Sequence, residues 1–248
     1  MRCEQPIFGI VGGVTAPFRT TARSSRKTAR TVGVMALGGL LAACGTTVSG
    51  HPTDARDPVP TAAADSGLAR LLPDPSQFPS QYTAVMLPVD AASQAANDLE
   101  GYLPGAQVDP SSCAPVAPTA GPVVSVGTND ATRATLTVAL TRSGTPLSAL
   151  RDQLRRCGTV RVGHSGVTSV VATQLDPPPP VDADDSLALR RTVGTENSAP
   201  GLTRTMQTLV GQIGDVRIAV TYMTSGSTTD SEALDTLFTT AVRKVRRG

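Results

Sequence analysis

The alternation of apolar and polar residues along residues 132–140 is the feature that most constrains the fold of this chain. The apolar positions there are Ala134, Leu136, Val138 and Leu140, with Thr135, Thr137 and Ala139 between them. A period of two residues is typical of a half-buried β-strand. Similar short runs occupy residues 82–87, 123–127, 160–162, 167–175, 187–193, 202–213 and 216–223. Because these strands follow one another closely, we predict an antiparallel sheet.

Helical patterns are fewer than strand patterns, and each has a start signal. Asp90 is the predicted N-cap of a helix that ends at Gly101. Thr145 is the predicted N-cap of a second helix, with Pro146 at its first position. In the last helix, Thr229 and Glu232 have the spacing of a capping box. The predicted fold class is therefore α+β, with an antiparallel β-sheet packed by a few helices in a single domain.

Two segments between these elements are predicted to be turns or loops. Gly214-Asp215 is a two-residue connection that is typical of a tight hairpin. Residues 104–122 are rich in proline and are predicted to form a loop.

The N-terminal segment is predicted to be an export signal. Residues 31–43 are apolar, but they are too few for a membrane-spanning helix, which needs about 20 residues. Basic residues precede this run at Arg19, Arg23, Arg26, Lys27 and Arg30. A basic region followed by a short apolar one is typical of a secretory signal peptide.

The sequence Leu41-Ala42-Ala43-Cys44 resembles the bacterial lipobox. That resemblance implies a diacylglycerol on Cys44 and cleavage that leaves Cys44 as the first residue; a plain secreted protein is the alternative. Residues 1–43 would then be a lipoprotein signal peptide, 44–65 a lipidated flexible tether and 66–248 an α+β envelope domain. The expected location is the extracytoplasmic face of the cell membrane, with the membrane itself as a partner through the lipid at Cys44.

The charge of the predicted mature chain argues against a nucleic-acid partner. The whole chain has 22 basic and 20 acidic residues, but six of the basic ones precede Cys44. The remaining chain is slightly acidic, and its clustered basic residues are confined to the last helix: Arg243, Lys244, Arg246 and Arg247. This cluster suits the negative end of the helix dipole, and a patch for anionic lipid headgroups is the alternative interpretation.

Two cysteines remain in the predicted domain, Cys113 and Cys157. A pair of cysteines in an exported domain is typical of a disulfide. Two free thiols or half of a metal site are the alternatives, and the chain offers few partners for a metal.

Catalytic chemistry has little support in the sequence. Gly163-His164-Ser165-Gly166 begins like a nucleophile elbow, but strand patterns flank it on both sides, so we predict a hairpin turn. The other histidine of the predicted mature chain, His51, lies in the tether. The acidic run Asp182, Asp184 and Asp185 lacks the ligand pattern of a calcium loop. We expect no catalytic residue, no bound cofactor and no metal site.

The arrangement of these features resembles a known group of proteins. The segments that support the resemblance are "LARLLPDPSQFP", "LRDQLRRC" and "VTYMTSGSTTDSEALDTLFTTAVRKV", within residues 68–247. Their order is similar to that in mycobacterial and other actinobacterial lipoproteins of unassigned function, and to the extracellular sensor domain of PknH-type receptor kinases. This chain has no tryptophan and one cysteine pair where that sensor family has two. The resemblance implies an antiparallel sheet packed by helices, a ligand-sized cleft and a sensing or binding role.

The expected function is a non-catalytic binding or sensing module of the cell envelope, for a small or lipidic ligand. The alternative is an accessory factor that binds an envelope protein partner in a membrane complex. Hydrolysis is the third hypothesis, and it depends on Ser165 and His164.

Overall fold

A computed structural model of the chain describes residues 66–102, 105–115, 120–195, 203–226 and 229–248. The predicted signal peptide, Cys44 and the tether lie outside the described residues. The helices are α1 (Ser66–Ala69), α2 (Val89–Glu100), α3 (Leu147–Arg156) and α4 (Ser231–Arg247), with 3-10 turns at Pro75–Gln77 and Ser111–Cys113. The strands are β1 (Thr83–Met86), β2 (Gln107–Asp109), β3 (Val123–Thr128), β4 (Thr135–Arg142), β5 (Thr159–His164), β6 (Val167–Asp176), β7 (Asp185–Thr195), β8 (Arg204–Ile213) and β9 (Val216–Thr224).

The nine strands of the described chain form one sheet in the order β1-β3-β4-β9-β8-β7-β6-β5-β2. Every neighbouring pair is antiparallel. The predicted α+β class with an antiparallel sheet is therefore confirmed. The predicted hairpin at Gly214-Asp215 is also confirmed, because Ile213 pairs with Val216 across that two-residue turn.

The prediction that β4 is buried on one side was wrong. Its even-numbered apolar positions pack against α4, but Thr137 and Ala139, which point to the opposite face, are also buried. Ala92 of α2 packs on that second face together with Ala139. We call the two sides of the sheet the α4 face and the α2 face. The two-residue period of β4 cannot predict that its second face is buried, because the helix that covers this face, α2, belongs to another segment of the chain.

Helix α4 packs on its own face of the sheet, together with Leu68, Leu72 and Phe78 from the start of the described chain. Its buried side chains are Ala233, Leu234, Leu237, Phe238, Ala241, Val242 and Val245, and they fall at helical spacing. They pack against alternate residues of β4 and β9.

The N-cap of α4 is Asp230, so the predicted capping box at Thr229 was wrong. The Asp230 carboxylate accepts a hydrogen bond from the backbone N–H of Ala233 at 3.1 Å. It also accepts one from the Tyr82 hydroxyl at 3.1 Å. Burial has the largest effect on the Tyr82 hydroxyl and the hydrogen bond to Asp230 the next largest, and both raise the pKa of Tyr82 well above its usual range. Asp230 is preferred because it serves the helix and the Tyr82 hydroxyl with one carboxylate.

The basic end of α4 is partly paired with acidic residues. Lys244 Nζ lies 2.8 Å from Asp74, and Arg246 lies 3.0 Å from Asp184 and 3.5 Å from Asp182. The hydrogen bond and charge of Lys244 lower the pKa of Asp74. The acidic run therefore holds the end of this helix, and the charge left for a lipid headgroup patch is smaller than the sequence suggests.

Three further predictions need correction. Pro88 and Pro146 are the N-cap residues of α2 and α3, in place of Asp90 and Thr145. Thr145 instead uses its carbonyl oxygen to accept hydrogen bonds from Arg217 and Ser143. Residues 104–122 are not wholly loop, because β2 adds three residues to the edge of the sheet beside β5. A three-residue strand is too short to produce a recognisable pattern.

Gly127 on β3 is required by close packing. A Cβ atom at this position would lie 2.8 Å from Phe78 Cδ1 and 3.1 Å from Tyr82 Cβ. Both of these neighbours are buried, so neither can move aside freely. We therefore expect Gly127→Ala to lower the free energy of unfolding by about 1–3 kcal/mol, as overpacking does. Urea denaturation of the parent and the variant measures this difference in the free energy of unfolding.

Gly144→Ala is the matched control for this substitution. No atom lies within 4 Å of a Cβ built at Gly144. Its free energy of unfolding should stay within about 0.5 kcal/mol of the parent value. Equal stability of the two variants would contradict the packing argument.

Candidate functional site

The candidate site lies on the α2 face, where α2 ends above the strands. The helix ends at Gly101, whose φ of +77° is the left-handed region that favours glycine. A Cβ atom there would lie 3.0 Å from Val171 and 3.1 Å from Val193. Glycine therefore ends the helix and also lets its backbone approach β6 and β7 closely.

A groove of about 570 Å³ opens beside this helix end. The size falls in the range of small-molecule sites, about 300–1,000 Å³. The groove is lined by Asp98, Gly101, Tyr102, Val162, His164, Val167, Ser169, Val193, Gly194, Thr195, Thr203, Arg204 and Ser225. Three valines of β5, β6 and β7 supply apolar surface, and hydroxyl and charged groups surround it. An apolar base with a few polar groups is the usual composition of a ligand site.

The disulfide packs beside the groove, on the same face of the sheet. Cys113 and Cys157 are joined, with their Cα atoms 5.7 Å apart. Cys113 is buried in one cluster with Val160, Val162 and Val171, and Cys157 packs against that cluster. The bond thus connects the turn after β2 to the end of α3, next to the valines that form the base.

A buried arginine, Arg191 of β7, anchors the end of α2. Its Nη1 donates a hydrogen bond to the Leu99 carbonyl at 2.7 Å, and its Nε donates to Thr173 Oγ1 at 3.3 Å. Its Nη2 lies 3.6 Å from the carboxylate of Glu100. A cation at a helix C-terminus is favourable, because the last carbonyls carry partial negative charge. From the sequence, Arg191 is only one residue of a predicted strand, but a charge inside an apolar run indicates that the side chain has a specific partner.

Tyr102 follows α2 directly and forms part of the wall of the groove. Its side chain is half-buried, and burial raises the pKa of its phenol, while Arg191 lowers it and Glu100 raises it. The phenol therefore stays protonated at neutral pH and is available as a hydrogen-bond donor.

Two opposite charges line the groove without pairing to each other. Asp98 lies on the last turn of α2, and Arg204 begins β8 beside Val193. Within the part of the chain that the structure describes, neither side chain has a hydrogen bond or an ion pair. These residues were missed by sequence reasoning, because the groove is assembled from segments that are far apart in the chain.

His164 and Ser165 form a hairpin turn, as the sequence predicts. His164 pairs with Val167 across Ser165-Gly166, and both turn residues have positive φ, +49° and +80°. Such φ values are typical of a tight β-hairpin turn. Among the described residues, His164 makes no hydrogen bond to Ser165 or to a carboxylate. The arrangement that a serine hydrolase requires is thus not assembled at this turn.

The acidic run of residues 182–185 is used in structural contacts. Asp182 and Asp184 contact Arg246, and Asp185 lies 2.8 Å from Arg151. In the described ranges, no group of three or more His, Cys, Asp or Glu side chains could hold a metal ion.

The solved structures that resemble this chain include two mycobacterial proteins. The Rv0999 ortholog from Mycobacterium smegmatis, an uncharacterized protein, has a TM-score of 0.42 at 17% identity, over 69% of this chain and 92% of that one. The extracellular domain of PknH from Mycobacterium tuberculosis has a TM-score of 0.41 at 13% identity, over 71% and 98%. The resemblance predicted from the sequence layout is thereby confirmed. At these scores it carries no information about a ligand.

No protein-family model and no curated protein matches the chain. Among the described residues, no helix has the length and apolar character needed to cross a membrane.

Replacing Cys113 and Cys157 together by alanine should destabilise the domain. The bond closes a loop between residues 44 positions apart, and constraint of such a loop typically contributes about 2–4 kcal/mol. We expect a lower urea midpoint, and we expect peptide mapping without reductant to recover the two cysteines in one linked fragment from the parent protein. Two free thiols, with an unchanged midpoint for the double variant, would contradict the assignment.

Proposed function

We propose that this protein is a non-catalytic binding or sensing module of the cell envelope that holds a small ligand in the groove beside the end of α2. The observation that supports this function is the groove itself, a cavity of about 570 Å³ that combines three valines with hydroxyl and charged side chains. Its frame is rigid, because Arg191 and the disulfide hold the helix end and the base of the groove.

A second candidate function is a protein–protein accessory factor. It is favoured by two exposed apolar side chains, Val85 and Met86, which are 56% and 58% exposed on the short edge strand β1. Exposed apolar residues at a sheet edge are typical of contact sites for other chains. They are only two residues, on an edge strand that does not line the groove, so we place this function second.

Native mass spectrometry of the full chain carrying Cys44→Ala, purified without detergent, tests the first candidate. We expect a co-purifying small molecule that adds a discrete mass. Ser169→Phe should remove that mass, because Ser169 lines the groove and a phenyl ring would fill it. Aromatic residues suit β-strands, so the variant should fold.

Thr168→Phe is the matched control for the blocking variant. It is the neighbouring residue of β6, its side chain points to the opposite face of the sheet, and it is exposed. Thr168→Phe should keep the added mass. A ligand that persists in Ser169→Phe would contradict the groove as its site, and a parent protein without any added mass would favour the second candidate.

We further propose that Cys44 carries a diacylglycerol that anchors the chain to the extracytoplasmic face of the cell membrane. The supporting observation is the lipobox-like sequence Leu41-Ala42-Ala43-Cys44 after a short apolar run. Each buried methylene group contributes about 0.8 kcal/mol, so two acyl chains suffice for stable anchoring.

Cys44→Ala should move the protein from the membrane fraction to the soluble fraction. Without the thiol no acyl chain can be attached, and residues 31–43 are too few to span a bilayer. Cell fractionation followed by immunoblotting measures the distribution. Ser49→Ala, a substitution in the predicted tether, is the control and should stay with the membrane. Retention of Cys44→Ala there would contradict the lipid anchor.

A further inference from the structure

The end of α2 is unusually negative. The last turn of this helix carries no basic residue, although it contains Asp98 and Glu100. The C-terminus of a helix already has partial negative charge, so a carboxylate there is unfavourable unless a cation compensates it. Glu100 has Arg191 at 3.6 Å, whereas the carboxylate of Asp98 has no partner among the described residues. The wall of the groove therefore favours a positively charged group at Asp98.

Tyr102 adds to the preference for a cation at this wall. Tyr102 directly follows Gly101, the C-cap of α2, and it lines the same groove as Asp98. The face of an aromatic ring attracts an ammonium group. The phenolic hydroxyl, which has no partner in the described chain, can also hydrogen-bond a ligand.

Arg204 gives another part of the groove a preference for an anionic group. Seven basic side chains of the described residues form ion pairs with carboxylates: Arg142, Arg151, Arg155, Arg190, Arg191, Lys244 and Arg246. Arg204 lines the same groove as Asp98, yet no ion pair joins them. A guanidinium that faces a ligand site without a protein partner favours a carboxylate or another anion.

An apolar surface accompanies these two charges. Arg204 pairs in register with Val193 of β7, and Val162 and Val167 line the same groove. Val167 is 56% exposed, so this surface is open to solvent in the absence of a ligand. A ligand that satisfies all three features has an ammonium, a carboxylate and an apolar body.

We propose that the groove binds a small zwitterion with an apolar body, of the chemistry that a short apolar peptide with free termini presents. Asp98 and Tyr102 receive the ammonium, Arg204 receives the carboxylate, and the valines contact the apolar part. This inference rests on the proposed function, because it names the ligand class of the same groove.

Isothermal titration calorimetry with a peptide series tests this assignment. The protein is the full chain carrying Cys44→Ala, and the probes are valine, divaline and trivaline with free termini, N-acetylated or C-amidated. We expect at least one free peptide to bind, with the preferred length reporting the spacing of the two charges. Acetylation and amidation should each weaken binding about tenfold, because each removes one charged hydrogen-bonding group.

Two variants connect each terminus to its residue. Asp98→Asn should weaken the free peptide about tenfold and leave the affinity of the N-acetylated peptide unchanged. Arg204→Gln should weaken the free peptide about tenfold and leave the affinity of the C-amidated peptide unchanged. Asp235→Asn and Arg243→Gln are matched controls on the exposed side of α4, beyond the opposite face of the sheet, and should bind like the parent.

The outcomes separate this inference from the proposed function. The zwitterion inference is overturned if capped and free peptides bind with equal affinity, or if no peptide binds. The proposed function still stands in either case if Ser169→Phe loses its co-purified mass. Binding of the peptides to Ser169→Phe with parent affinity overturns the zwitterion, because the peptides would then lie outside the groove. Persistence of the co-purified mass in Ser169→Phe overturns the proposed function as well, because this inference rests on it.

Discussion

The structure depends on covering both faces of one antiparallel sheet with few helices. Helix α4 packs on the α4 face through an apolar stripe over β4 and β9, and Leu68, Leu72 and Phe78 complete the cover. The α2 face is divided between α2 near β3 and β4 and α3 near β7 and β8. Helix α2 ends at Gly101, close to Val171 of β6 and Val193 of β7. The groove opens beside this end of the helix.

The end of α2 therefore has two roles that require different chemistry. It must sit close to the sheet, which Gly101 permits by having no side chain and which Arg191 secures through the Leu99 carbonyl. In the proposed function it also leaves a charge for a ligand, because Asp98 remains outside the contacts of Arg191. One carboxylate at this helix end is compensated within the fold and the other is not. That asymmetry is the reason we place a cationic group of the ligand at Asp98.

Much of the architecture could be predicted from local patterns. Strand periodicity, the Gly214-Asp215 hairpin and the turn at Ser165-Gly166 depend on neighbouring residues, and they were predicted correctly. The helix starts were each misplaced, because an N-cap is chosen by competition among adjacent polar residues and contacts elsewhere. Asp230 is preferred to Thr229 since Tyr82, distant in the chain, also donates to its carboxylate. The burial of Thr137 likewise depends on a helix that its own strand does not contain.

The sequence by itself determined most of the strands and helices, the antiparallel class, the cysteine pair that was available and the hairpin turn at Ser165-Gly166. These properties follow from short-range spacing, so they can be read along the chain. Only the tertiary structure decided where the groove lies and which charges meet there. Asp98, Tyr102 and Arg204 belong to separate elements, and no local pattern relates them. They come together because side chains from distant strands share one face of the sheet, which depends on strand order and not on sequence neighbours.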